Sequence, residues 1–120
     1  MEKLTVQEED AMHIVWETGG GFVKEILEKM PGEKVPYTTL ASTLRNLERK
    51  GYVRAIKYAN AYRFEPSIAK EEYKEKFMNG FVHHYFKNSY KELVSFFAKE
   101  EKISAKELKE ILNMIDNKNE

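Results

Sequence analysis

A chain of 120 residues, 42% hydrophobic and 33% charged, can bury one core and carry an appendage, and its balance excludes a disordered or membrane-embedded protein. No stretch approaches the roughly 18 apolar residues of a membrane span, and the opening MEKLTVQEED lacks the basic-then-apolar order of an export signal, so a cytoplasmic protein without membrane insertion is expected. Cysteine is absent, which removes disulfides, thiol catalysis, thiolate zinc and thiolate copper sensing. The first predicted element follows Thr5, whose spacing to Glu8 is that of a capping box, and Ala11, Met12, Ile14, Val15 and Trp16 give it one broad apolar face before the glycines at 19–21 stop it. Phe22, Val23, Ile26, Leu27 and Met30 recur at helical spacing in a second, short helix that Pro31-Gly32 ends. After Pro36 a third helix carries Leu40, Leu44 and Leu47 on one face and stops at Gly51.

Beyond Gly51 the hydrophobic period changes from helical to alternating. Residues 52–58 and 61–64, joined by Ala59-Asn60, read as a β-hairpin. From Ser67 the pattern is helical again over about 67–85, 89–99 and 104–117, the last opening with a second capping box, Ser104 with Glu107. The expected fold class is therefore mainly α with a small β-hairpin, a winged helix-turn-helix over residues 1–66 followed by a helical region over 67–120.

The zero net charge conceals an uneven distribution. Residues 1–33 hold three Lys against eight acids, residues 34–63 hold seven Lys and Arg against one Glu, and residues 64–120 hold ten Lys against eleven acids. The single basic block falls on the third helix and the hairpin, the two parts of a winged helix that meet nucleic acid. With the leucines turned inward, Thr38, Ser42, Arg45 and Arg49 occupy the opposite face and Thr39 and Asn46 flank it. Small hydroxyls let such a helix sit deep in a major groove, and Arg bonds guanine or phosphate. Lys57, Asn60 and Arg63 are expected to reach the neighbouring backbone or minor groove from the hairpin.

The C-terminal helices carry more large apolar side chains than a solvated tail tolerates. A second copy of the chain is the expected cover, with Phe81, Tyr85, Phe86, Tyr90, Leu93, Val94, Phe97, Leu108, Ile111, Leu112 and Ile115 at the interface; packing of these helices on the chain's own core is the alternative. A symmetric dimer would match a palindromic double-stranded DNA operator. His83 and His84 point about 100° apart on a helix, so no metal is assigned to them, and no cofactor or catalytic constellation is visible. The glycines at 19–21 lack the residues that make a phosphate loop.

The stretch TTLASTLRNLERKGYV, then YANAYRFEP and the KEEY of 70–73, together with the opening LTVQEEDAMHIVWETG, resembles the penicillinase-repressor (BlaI/MecI/CopY-type) family over nearly the whole chain, most strongly over 4–73. The resemblance implies a homodimeric repressor whose winged helix reads the operator and whose C-terminal helices dimerise. It also implies, for β-lactam-responsive members, a sensor-protease pathway that ends in cleavage of the C-terminal region at an Asn-Phe bond. Ser95-Phe96 stands at that place here, with Ser in the position of Asn, and Ala41 stands where the family often has Arg. Without the CopY-type cysteines, copper is not the expected inducer. Two other readings stay open at this level: a winged-helix module that binds protein, which would lack the steep salt dependence of phosphate contacts, and a small enzyme or ligand-binding regulator, for which only the aromatics at 81–97 speak.

Overall fold

A computed structural model of the chain describes residues 2–33 and 35–118. The elements run α1 (Val6–Thr18), β1 (Gly21–Phe22), α2 (Val23–Lys29), α3 (Tyr37–Arg49), β2 (Val53–Tyr58), β3 (Ala61–Pro66), α4 (Lys70–Tyr85), α5 (Tyr90–Lys99) and α6 (Ala105–Lys118). They fall into two compact units that divide after Tyr73.

In the first unit, the chemistry read in the sequence starts and stops the helices. Thr5 Oγ1 accepts the Glu8 amide at 3.1 Å, and the Glu8 carboxylate accepts the Thr5 amide at 2.9 Å, which closes the capping box of α1. Gly19, at φ 83, ends α1 in the left-handed conformation. Ala11, Met12 and Val15 of α1, Ile26 of α2, and Leu40, Leu44 and Leu47 of α3 are fully or almost fully buried, and Val53, Phe64, Tyr52 and Ile68 close the core from the sheet side. Burial of each α3 leucine contributes about 2 kcal/mol. A solvent-exposed ion pair on the same helix contributes less than about 1 kcal/mol. The leucines therefore decide which face of α3 looks outward.

The hairpin is in register from Val53↔Pro66 to Tyr58↔Ala61, across a two-residue turn in which Ala59 adopts φ 52. The third strand is an addition to what the sequence predicts. Gly21 and Phe22 pair antiparallel with Phe64 and Arg63, giving the sheet order β1-β3-β2 with β3 in the centre. Two residues have no periodicity to detect, and the glycines that signal a helix stop also serve this pairing. Gly20 takes φ 117, and a Cβ there would lie 2.4 Å from the Phe64 carbonyl oxygen. Glycine lets the backbone approach.

The first unit reaches Tyr73, beyond the boundary at residue 66 expected from the sequence, because the start of α4 is tied into it. Trp16 Nε1 donates to the Ile68 carbonyl at 2.8 Å, and the Tyr73 ring lies 5.3 Å from that of Trp16 and 5.7 Å from that of Tyr52. Burial raises the pKa of both Tyr52 and Tyr73, with the nearby carboxylates adding to it.

The second unit holds the rest of α4 and the helices α5 and α6. Ser89 caps α5 through the Glu92 amide, and Ser104 and Glu107 close the second capping box. Val82 and Leu93 are buried within the single chain. Among the described residues α6 buries none. Among the described residues, no helix is long and apolar enough to cross a membrane.

Candidate nucleic-acid interface

Thr38, Thr39, Ser42, Arg45, Asn46 and Arg49 are all solvent-exposed on α3. The inward row is completed by Thr43, which the sequence reading did not assign: it is buried, and its hydroxyl donates to the Thr39 carbonyl at 2.9 Å. Pro36 precedes α3 and contributes no side-chain cap.

Strand parity sorts the hairpin residues. Phe64 points into the core, so Tyr62, two residues away, lies on the same face of β3, and Lys57 opposite Tyr62 shares it. Lys57 and Asn60 are exposed near the tip. Arg63 departs from the expectation that it joins them. Its parity puts it on the other face, where its guanidinium donates to the Gly20 carbonyl at 3.3 Å and to Glu65 at 3.3 Å, with Glu25 at 4.0 Å. Its donors link β3 to the residue that precedes β1. Alternation alone would have shown which face it takes, since Arg63 and Phe64 are neighbours and cannot share a face.

The two α3 arginines differ. Arg49 is 62% exposed with Glu2 at 3.7 Å as its ionic partner. Arg45 donates to Glu48 Oε1 at 2.9 Å and lies over the rings of Tyr62 and Phe64, at 4.5 and 5.4 Å from their centres. The exposed tyrosines Tyr37 and Tyr62 also belong to this side of the molecule, and the sequence reading passed over them, whereas Tyr58 shares the Arg63 face of the sheet and meets the Phe22 ring at 6.0 Å. The C-terminal end of α3 is anchored by Lys50. Its ammonium sits 2.6 Å from Glu8 Oε1 and donates to the Lys3 carbonyl at 3.0 Å, with both side chains almost fully buried. Burial pushes the Glu8 carboxyl up, but the hydrogen bonds from Lys50 and Thr5 and the Lys50 charge outweigh it and hold its pKa below the ordinary value.

In the second unit, of the side chains expected at a dimer interface, Leu93 is the exception, being buried within the single chain by its place on the inner side of α5. Tyr85, Tyr90, Val94, Phe97, Ile111, Leu112 and Ile115 are exposed, and Phe81, Phe86 and Leu108 are half-buried. Ser95 and Phe96 lie inside α5. No group of three or more potential metal ligands occurs among the described residues.

Three helices, the second and third of them close in sequence, followed by a hairpin wing beside the exposed polar face of the third, define a winged helix-turn-helix protein. The penicillinase repressor family model matches residues 4–117, and the chain belongs to that family of DNA-binding transcriptional regulators, which are repressors rather than enzymes. It is 25% identical over 116 residues to the penicillinase repressor of Staphylococcus aureus, spanning 96% of this chain and 92% of that one. Among solved structures, it resembles Bordetella bronchiseptica BpsR, described in a study of how 6-hydroxynicotinic acid regulates that protein's DNA binding. The TM-score is 0.49 at 9% identity, over 98% of this chain and 76% of that one.

Proposed function

We propose that this chain is a sequence-specific repressor that binds a palindromic double-stranded DNA operator as a homodimer in the cytoplasm. The observation that carries the reading is the outward face of α3, where Thr38, Thr39, Ser42, Asn46 and Arg49 stand exposed with Lys57 and Asn60 on the adjoining wing. Small hydroxyls and an amide can approach base edges while the cations meet phosphates. The helices of the second unit supply the dimer contacts. The support for this is α6, which leaves Ile111, Leu112 and Ile115 about half exposed in a single chain, a state that soluble monomers avoid for clustered aliphatic side chains. A two-fold axis would place two α3 helices about one DNA turn, ~34 Å, or a multiple apart. Release of the operator would follow cleavage at Ser95-Phe96 by a sensor-protease pathway, which separates α6 from the helices before it; because that bond lies within α5, the helix must open locally before a protease can act on it.

The test is selection of duplexes from a random-sequence pool by the purified full-length protein, with affinity followed against salt and mass measured by sedimentation. Recovery of an inverted repeat, bound by a dimer with steep salt dependence, is the expected result. Failure to enrich any sequence would overturn it in favour of a protein-binding winged helix.

A further inference from the structure

A cleft of about 340 Å³ opens among α3, the junction of β1 with α2 at Phe22, Val23 and Lys24, and the tip-proximal half of the wing. Tyr37, Ala41 and Arg45 wall it from the helix, in one row at every fourth residue, and Asn60, Ala61 and Tyr62 wall it from the hairpin. An open cleft leaves the wing tip with little packing toward α3; its other face is held by the Phe22–Tyr58 ring contact at 6.0 Å, so its approach to α3 depends on what crosses the cleft. The guanidinium of Arg45 spans it, lying over the ring of Tyr62 at 4.5 Å and reaching the buried Phe64 ring at 5.4 Å. Glu48, one turn along the helix, holds Nη1 at 2.9 Å and so fixes the direction of the guanidinium plane. A planar, permanently charged guanidinium stacks on an aromatic face in a way that an ammonium does not. Tyr62 is paired across the hairpin with Lys57, so the place of the ring sets the place of the wing's cation.

We propose that Arg45 and Tyr62 form a brace that sets the wing against α3, which makes them positioning residues for DNA affinity and makes Arg45 a stacking group instead of a phosphate anchor. The contrast with Arg49 supports the assignment. Arg49 is the more exposed of the two, has an acid at 3.7 Å, and is the arginine suited to a phosphate. The inference rests on the reading of α3 and the hairpin as the DNA face, but one of its two tests needs no DNA.

In the first test, the full-length protein is titrated with the duplex that the wild type recovers from the random pool, at several salt concentrations. Arg45→Met, Arg45→Lys and Tyr62→Leu are each expected to raise Kd about five-fold while leaving the salt slope at its wild-type value, and Tyr62→Phe to stay within about two-fold because it keeps the ring. Arg49→Ala, the control, is expected to reduce the slope by about 0.9, the loss of one phosphate contact. A reduced slope in Arg45→Met, or wild-type affinity in Arg45→Lys or Tyr62→Leu, would overturn the brace. In the second test, hydrogen exchange of the DNA-free protein is followed at residues 57–62. These amides are expected to exchange about three-fold faster in Arg45→Met and Tyr62→Leu. Unchanged exchange overturns the brace, whether or not the wild type selects a duplex, whereas failure of selection alone bears on the DNA reading.

Discussion

Breaking the contact between Glu8 and Lys50 is the sharpest perturbation available in the first unit, because it joins the start of α1 to the end of α3 through two almost fully buried charges 2.6 Å apart. Removing one partner of a buried pair generally costs about 3–5 kcal/mol, most of it for the charge left behind. In Lys50→Met the Glu8 carboxylate keeps the Thr5 amide as a donor and water can reach the exposed Lys3 carbonyl, so the expected cost at neutral pH is nearer 2–3 kcal/mol. For a unit of this size that corresponds to a fall in Tm of about 10–20 °C. Glu8→Gln keeps the capping geometry and loses the charge, so the double variant is expected to recover part of the loss, with a coupling of about 1–3 kcal/mol in the double-mutant cycle. Trp16 is the one tryptophan of the chain and lies in this unit, so its fluorescence in urea reads the unfolding.

The pH dependence gives the sign. The folded-state pKa of Glu8 is depressed, so its contribution is fully present above the ordinary glutamate value of 4.5 and is lost as pH falls through the lower folded value. In Lys50→Met the lysine no longer opposes burial, the Glu8 pKa rises, and protonation on acidification relieves the buried charge. The gap between wild type and variant therefore narrows as pH falls from 7 to about 4. A gap below about 0.5 kcal/mol at pH 7, or one that does not change with pH, would refute the reasoning.

Gly20→Ala must move either the β1–β3 junction or the turn before it, since the new Cβ meets a backbone oxygen at 2.4 Å and φ is 117; a loss of about 2–4 kcal/mol in urea denaturation is expected, and a loss under about 1 kcal/mol would mean the close approach is absent. Ala59→Gly relieves a left-handed alanine at the wing tip, worth about 1–2 kcal/mol, against the greater unfolded-state freedom of glycine, so a net gain of about 0.5–1 kcal/mol and slower exchange of the wing amides are expected. Leu112→Asp places a charge in the exposed stripe of α6 and is expected to yield monomers by sedimentation with unchanged Trp16 fluorescence; a dimer that persists would remove α6 from the interface.

Much of the fold was legible because its signals are local. Thr5 with Glu8 and Ser104 with Glu107 satisfy orphan amides within one turn, Gly19 and Gly51 take positive φ where helices stop, and the change from helical to alternating period marks the wing. The outward face of α3 followed from three leucines alone, since their burial outweighs every polar preference on that helix. What the tertiary structure decided depends on partners distant in sequence. β1 has two residues and no period, and exists because Gly20 admits the backbone of β3. Arg63 is drawn to Glu65 and the Gly20 carbonyl by that pairing, Lys50 to a carboxylate 42 residues away, and Arg45 to a ring on the wing. A basic residue in the sequence is equally suited to a phosphate, a carboxylate or an aromatic face, and only the fold determines which of them lies within reach.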